Sequence, residues 1–75
     1  MKIRWTTEAT DNLEHIRRHA IFDHIQKLAV FPNRGRTGRK EGTRELVLSP
    51  LPYLVAYRVQ DDTVVILYIR HGAQR

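Results

Sequence analysis

Polar and apolar positions alternate over Lys2–Trp5, the period of a strand. Downstream the period changes. Ala9, Leu13, Ile16 and Ala20 recur at helical spacing, and a second apolar set follows at Ile21, Phe22, Ile25, Leu28 and Ala29. Thr6 or Thr7 can cap the first helix, with Glu8 in the first turn, where the helix dipole favours an anion. No glycine or proline separates the two sets, so periodicity alone allows one helix from Glu8 to Phe31. The phase argues otherwise. At about 100° per residue, the second set points roughly 140° away from the first. One straight helix would bury two different faces, so two helices are expected, Glu8–Ala20 and Ile21–Phe31, with a sharp break at Ala20–Ile21. A helical hairpin ordinarily needs a connection of about 2–8 residues, and none is visible at that junction.

Phe31-Pro32-Asn33-Arg34-Gly35 stops the second helix, because proline cannot continue it and glycine permits the turn. A basic segment follows as a loop. Three strand-like stretches come next: Arg44–Ser49, Tyr53–Val59 and Thr63–His71. Pro50-Leu51-Pro52 and Gln60-Asp61-Asp62 between them are short enough for antiparallel hairpins. In the middle strand Tyr53, Val55, Tyr57 and Val59 share one face, and Leu54, Ala56 and Arg58 the other. The order predicts an α+β fold over a single domain, 1–75: a helical hairpin packed on a small antiparallel β-sheet. Trp5, Phe22, Phe31, Tyr53 and Tyr57 are expected to pack in the core or on the sheet.

A chain of 75 residues buries only about 60% of the surface its unfolded form exposes, so its core is small. It has no cysteine, which excludes a disulfide framework and a thiolate zinc site. His15 and His19 form an i, i+4 pair without a third ligand, so neither a metal nor a cofactor is expected. No stretch approaches the roughly 20 apolar residues that span a bilayer, and no apolar run follows the basic residues of MKIRWTTEA. The expectation is a cytoplasmic protein with no membrane partner. Glycine-rich phosphate loops and nucleophilic triads are also missing from the sequence.

The net charge of +5 favours acidic proteins or nucleic acid as partners. Much of it is gathered in one place. NRGRTGRKEGTR, residues 33–44, holds five cations, three glycines and one acid. One reading is a mobile, solvated connector; the other is a surface that meets an anionic partner. We take the second, with Arg34, Arg36, Arg39, Lys40 and Arg44, together with Arg75, as partner- or nucleic-acid-binding residues. Arg58 and Arg70 come from adjacent strands and are candidates for a phosphate clamp. The competing assignment is salt bridging to Asp61, Asp62 or Glu45, worth only about 0–1 kcal/mol at a surface.

IRWTTEATDNLEHI, IQKLAVFPNRGRTGR, GTRELVLSPLPYLVAYRV and DDTVVILYIRH together resemble the RelE/ParE toxins of bacterial toxin–antitoxin modules over nearly the whole chain. The resemblance implies a growth-arresting toxin neutralised by a cognate acidic antitoxin, with oligomers formed through the toxin–antitoxin complex. Relatives carry a longer segment between the two helices, so the chain is expected to be interrupted at Ala20–Ile21 or to have lost that segment. RelE-like members cleave mRNA on the ribosome, whereas ParE-like members poison DNA gyrase. Metal-free RNA cleavage needs a group to activate the ribose hydroxyl, a cation for the crowded phosphate and an acid for the leaving oxygen. The lysine positions of RelE fall here on Glu45 and Val47, its arginines on Leu54 and Ala73, and its tyrosine beyond the end. A second nuclease branch, with a middle-strand arginine and a terminal His-Tyr pair, meets Leu54, Gly72 and Ala73. The reading that follows is ParE-like gyrase inhibition. One alternative is a ribosome-dependent mRNA endonuclease using Arg58, Arg70 and His71 as catalytic residues; another is an inactive relative that only binds antitoxin.

Overall fold

The structure, a computed structural model, describes residues 1–16 and 18–71. In chain order it contains β1 (Lys2–Trp5), α1 (Thr7–Glu14), α2 (Arg18–Gln26) with a 3-10 turn at Lys27–Ala29, β2 (Arg36–Thr37), β3 (Arg44–Val47), β4 (Tyr53–Gln60) and β5 (Thr63–His71). Thr6 caps α1, its Oγ accepting the Ala9 N–H at 3.1 Å, and Glu8 lies in the first turn. These follow the sequence. The helix boundary does not. The helical pattern breaks at His15 and Ile16, where His15 adopts φ −105°, ψ 10°, and it resumes at Arg18. α2 runs unbroken through Ala20 and Ile21, so the expected helix break there is corrected. The reason is packing. The turn at His15 and Ile16 re-aims the chain, so that α1 buries Ala9 while α2 and its 3-10 turn bury Ile21, Ile25 and Leu28, each 0% exposed, in one stripe at helical spacing.

The five strands form one sheet in the order β1-β5-β4-β3-β2. β4 pairs antiparallel with β3 and with β5, as the hairpins predict. β1 instead lies parallel to β5, with Lys2 opposite Thr63 and Trp5 opposite Ile66. The sheet is therefore mixed rather than wholly antiparallel. A parallel pair requires a long crossover, and here everything between Trp5 and Thr63 supplies it. The basic segment is also more than a loop. Arg36 and Thr37 pair with Glu45 and Arg44, and the Gly38 N–H donates to the Thr43 carbonyl at 2.8 Å.

The helices cover one face of the sheet. Ala9, Ile21, Ile25 and Leu28 pack there with Leu48, Val55, Tyr57, Val64, Ile66 and Ile69. Each large side chain so buried contributes about 1.5–3 kcal/mol of transfer free energy. β4 keeps its expected alternation, but β5 does not. Ala56 faces Tyr68 while Tyr57 faces Ile66, so Leu67 is an extra residue on β5. This bulge reverses the phase. Ile66 and Ile69, three residues apart, both reach the core, and Val65 and Arg70, five apart, share the other face. Among the aromatics assigned to packing, Tyr57 is fully buried, and Trp5 and Tyr53 pack against the core from its margin. Phe22 and Phe31 are 43% and 61% exposed, which corrects their assignment. Phe22 stacks on the Trp5 ring, centroids 6.3 Å apart. Among the described residues no helix is long and apolar enough to cross a membrane.

Candidate functional site

The face of the sheet away from the helices carries a cationic groove. Its floor follows from the strand register: Ala56 lies between Glu45 on β3 and Tyr68 on β5, with Leu54 beside Arg70 in the next row. Ala56 is the smallest side chain in that row, and it leaves a depression. Glu8 and Asn12 of α1 form one wall, and Arg39, Lys40 and Thr43 of the β2–β3 hairpin form the other. Arg58 and Arg70 rise from the floor between them. The cavity encloses about 550 Å³.

None of its four cations is in an ion pair among the described residues, although Glu8 adds one carboxylate to the wall. Arg36 and Glu45, 3.6 Å apart, make the one ion pair among the described residues. Among the described residues Arg39, Lys40, Arg58 and Arg70 have no carboxylate within pairing distance, and the buried Nε of Arg58 has no hydrogen-bond partner. Salt bridging to Asp61, Asp62 or Glu45 therefore does not account for Arg58 and Arg70. The Arg70 guanidinium instead lies 5.1 Å from the centre of the Tyr68 ring, a cation–π contact that leaves its N–H fork available. Four cations against the single carboxylate of Glu8 leave the concavity net positive, which favours an oxyanion there.

The sequence-derived candidates separate into groups. Arg58 and Arg70 share the groove, with Arg39 and Lys40 from the basic segment. His71 does not join them. It pairs across strands with Tyr53, on the helix-bearing side of the sheet, and meets that ring edge-on at 5.7 Å. Arg36 is engaged with Glu45. Arg44 is half-buried and donates from Nη1 to the Gly35 carbonyl at 2.8 Å, which holds the turn after the helical layer. Tyr57 holds the same turn: its hydroxyl donates to the Pro32 carbonyl and accepts the Gly35 N–H, both at 2.8 Å. Arg34 is exposed and stands outside the groove lining. Arg75, Gly72 and Ala73 lie outside the described residues.

At the positions where the resemblance expects nuclease cations, Glu45 and Leu54 are each 8% exposed and Val47 is 52% exposed. The cations of this groove come from other places in the chain. Sequence reasoning missed Glu8, Asn12, Thr43 and Tyr68 as lining residues. The signal for the first two was their i, i+4 spacing on α1, which puts both on one helix face.

The family described as ParE toxin of the type II toxin–antitoxin system, parDE, matches residues 3–75. The chain belongs to the ParE toxin family. It is thus a toxin of the type II toxin–antitoxin class, within the RelE/ParE superfamily. The toxin candidate Y4kP of Sinorhizobium fredii is 35% identical over 88 residues, covering 99% of this chain and 91% of the relative. That span exceeds the 75 residues present here, so the relative carries a segment without a counterpart in this ParE-family chain. The chromosomal ParDE system of Pseudomonas aeruginosa has the same fold, with a TM-score of 0.81, 24% identity and 95% of each chain covered. The toxin–antitoxin complex RelBE2 of Mycobacterium tuberculosis gives a TM-score of 0.73 at 29% identity, covering 93% of this chain and 95% of that one.

Proposed function

We propose that this ParE-family toxin arrests growth in the cytoplasm by engaging DNA gyrase without cutting nucleic acid, using the cationic groove to hold an anionic group of its target. The observation that carries the reading is the separation of His71 from Arg58 and Arg70 on opposite faces of the sheet. Cleavage needs a proton acceptor and a proton donor within hydrogen-bond reach of the phosphate that the cations stabilise. A histidine behind the sheet meets no such requirement. Glu45 and Leu54, where nuclease relatives place cations, point the same way.

A cognate antitoxin belongs to this proposal, since the solved relatives include ParDE and RelBE2 toxin–antitoxin systems. Two features fit an acidic segment that folds on contact. The β2–β3 hairpin and groove are strongly basic, and an apolar recess of about 640 Å³ lined by Trp5, Leu13 and Phe22 has Arg18 and His19 at its rim.

The unpaired Arg58 and Arg70 favour a second reading, a ribosome-dependent mRNA endonuclease, because two free guanidiniums suit a crowded phosphate. In that reading the acid–base work falls to Glu8 or Tyr68, which line the groove. Expression without antitoxin, followed by gyrase supercoiling assays and codon-resolved mapping of ribosome-bound mRNA, separates the two. Gyrase inhibition, DNA-damage signalling and filamentation with intact mRNA are the expected results. Cleavage of mRNA by the purified protein on programmed ribosomes overturns the gyrase reading, and normal growth points to an inactive, antitoxin-binding relative.

A further inference from the structure

β1 stops short of β5. Its pairing ends with Trp5 opposite Ile66, yet β5 continues to His71. Beyond that point α1 takes over the exposed edge of the strand with side chains. The single proton of the Thr6 hydroxyl is shared between the carbonyls of Ile66 and Leu67, at 2.9 Å each, while its oxygen accepts the Ala9 N–H. One hydroxyl thereby ties the helix cap to the bulge. Two turns along α1, the Asn12 Oδ1 accepts the Ile69 N–H at 2.9 Å. Ile69 is the residue between Tyr68 and Arg70, and all three border the groove, as does Asn12 itself.

Because that bond fixes the amide orientation, Nδ2 is the free end of the Asn12 side chain. It has no hydrogen-bond partner among the described residues, and Asn12 is half-buried. We infer that Asn12 is the positioning residue of the groove: its carbonyl fixes the Tyr68–Arg70 segment in the groove that Arg58 also lines, and its amide N–H₂ presents a neutral donor to the oxyanion held there. This rests on the groove being an anion site, as proposed above. The side chain is suited to both tasks at once. Alanine keeps neither. Aspartate keeps the acceptor for Ile69 but replaces the donor with a negative charge, which opposes an anion beside Arg70.

The test uses the full chain, inorganic pyrophosphate as the oxyanion probe, and NMR observation of the Ile69 amide and the Arg58 and Arg70 Nε–H groups. In the wild type the two arginine signals are expected to shift together on titration. Asn12→Ala should lower Ile69 amide protection about tenfold, the effect of one hydrogen bond, displace the Arg70 signal before any ligand is added, and weaken pyrophosphate binding. Asn12→Asp should retain Ile69 protection and the fold but weaken binding about tenfold or more. Unchanged Ile69 protection in Asn12→Ala overturns the positioning role. Wild-type affinity in Asn12→Asp overturns the donor role. Arginine signals that ignore pyrophosphate in the wild type count against the anion site instead, and Ile69 protection still decides the positioning role independently.

Discussion

Replacing Tyr57 by phenylalanine removes one oxygen atom from a buried polar site of the fold. Tyr57 is 0% exposed, and its hydroxyl bridges the Pro32 carbonyl and the Gly35 N–H at 2.8 Å each. Through that bridge the sheet grips the segment that leaves the helical layer. Phenylalanine fills the same space, so packing changes little and the cost is polar. The Gly35 N–H, in a buried hydrogen bond, loses its acceptor and carries about 1–3 kcal/mol. The Pro32 carbonyl is partly accessible and adds about 1 kcal/mol. A void the size of one oxygen is too small for a water to replace it. The total, about 2–4 kcal/mol, is large beside the stability of a domain this size, on the order of 4–11 kcal/mol at 0.05–0.15 per residue. At roughly 4–8 °C per kcal/mol, Tm should fall by about 8–32 °C. Thermal unfolding followed by circular dichroism, with hydrogen exchange at the Gly35 amide, measures both the global and the local effect. A Tyr57→Phe variant that melts within about 2 °C of wild type with Gly35 still protected would falsify the account of this turn.

Three further outcomes follow from the same geometry. Gly35→Ala should destabilise by about 1–3 kcal/mol in chemical denaturation, because an added Cβ would sit 2.7 Å from the Tyr57 hydroxyl and 2.9 Å from the Glu45 carbonyl; a midpoint equal to wild type would show that the turn can move. Arg58→Ala with Arg70→Ala should abolish growth arrest on induction while leaving Tm nearly unchanged, since neither guanidinium is in an ion pair; retained toxicity would remove the groove from the function. Neutralising Arg34, Arg36 and Arg39 together should weaken binding of an acidic antitoxin and flatten its salt dependence, measured by titration from low to physiological ionic strength. Salt-independent binding by the wild type would exclude the basic hairpin from the interface.

The candidate site was only partly legible beforehand. Arg58 and Arg70 were paired correctly, because Arg58 and Leu54 share a face by strand alternation and Arg70 stands opposite Leu54. Arg39 and Lys40 were noticed as charge, but nothing local says that the β2–β3 hairpin turns them towards those arginines. Arg44 reads as part of the same basic run, yet it serves the Gly35 turn. Glu8 was read only as a helix-dipole partner, and Asn12 was not singled out at all. Their role depends on α1 lying along β5, some sixty residues away in sequence.

Local periodicity and local stop signals carry information that one stretch of chain holds by itself. On that basis the sequence determined the order of strand, two helices and three strands, the Thr6 cap, the Pro32–Gly35 stop and the two faces of β4. Tertiary structure decided what depends on distant partners. A turn at His15 and Ile16, upstream of the junction between the two apolar sets, re-aims the chain so that Ala9 of α1 and Ile21 and Ile25 of α2 reach the same core. β1 joined β5 in parallel because the whole intervening chain serves as a crossover. The Leu67 bulge let Val65 and Arg70 share a face while His71 turned to the other. A one-residue shift in strand phase reverses every later side chain, and its position is set by the pairing of two strands, not by the residues of either one.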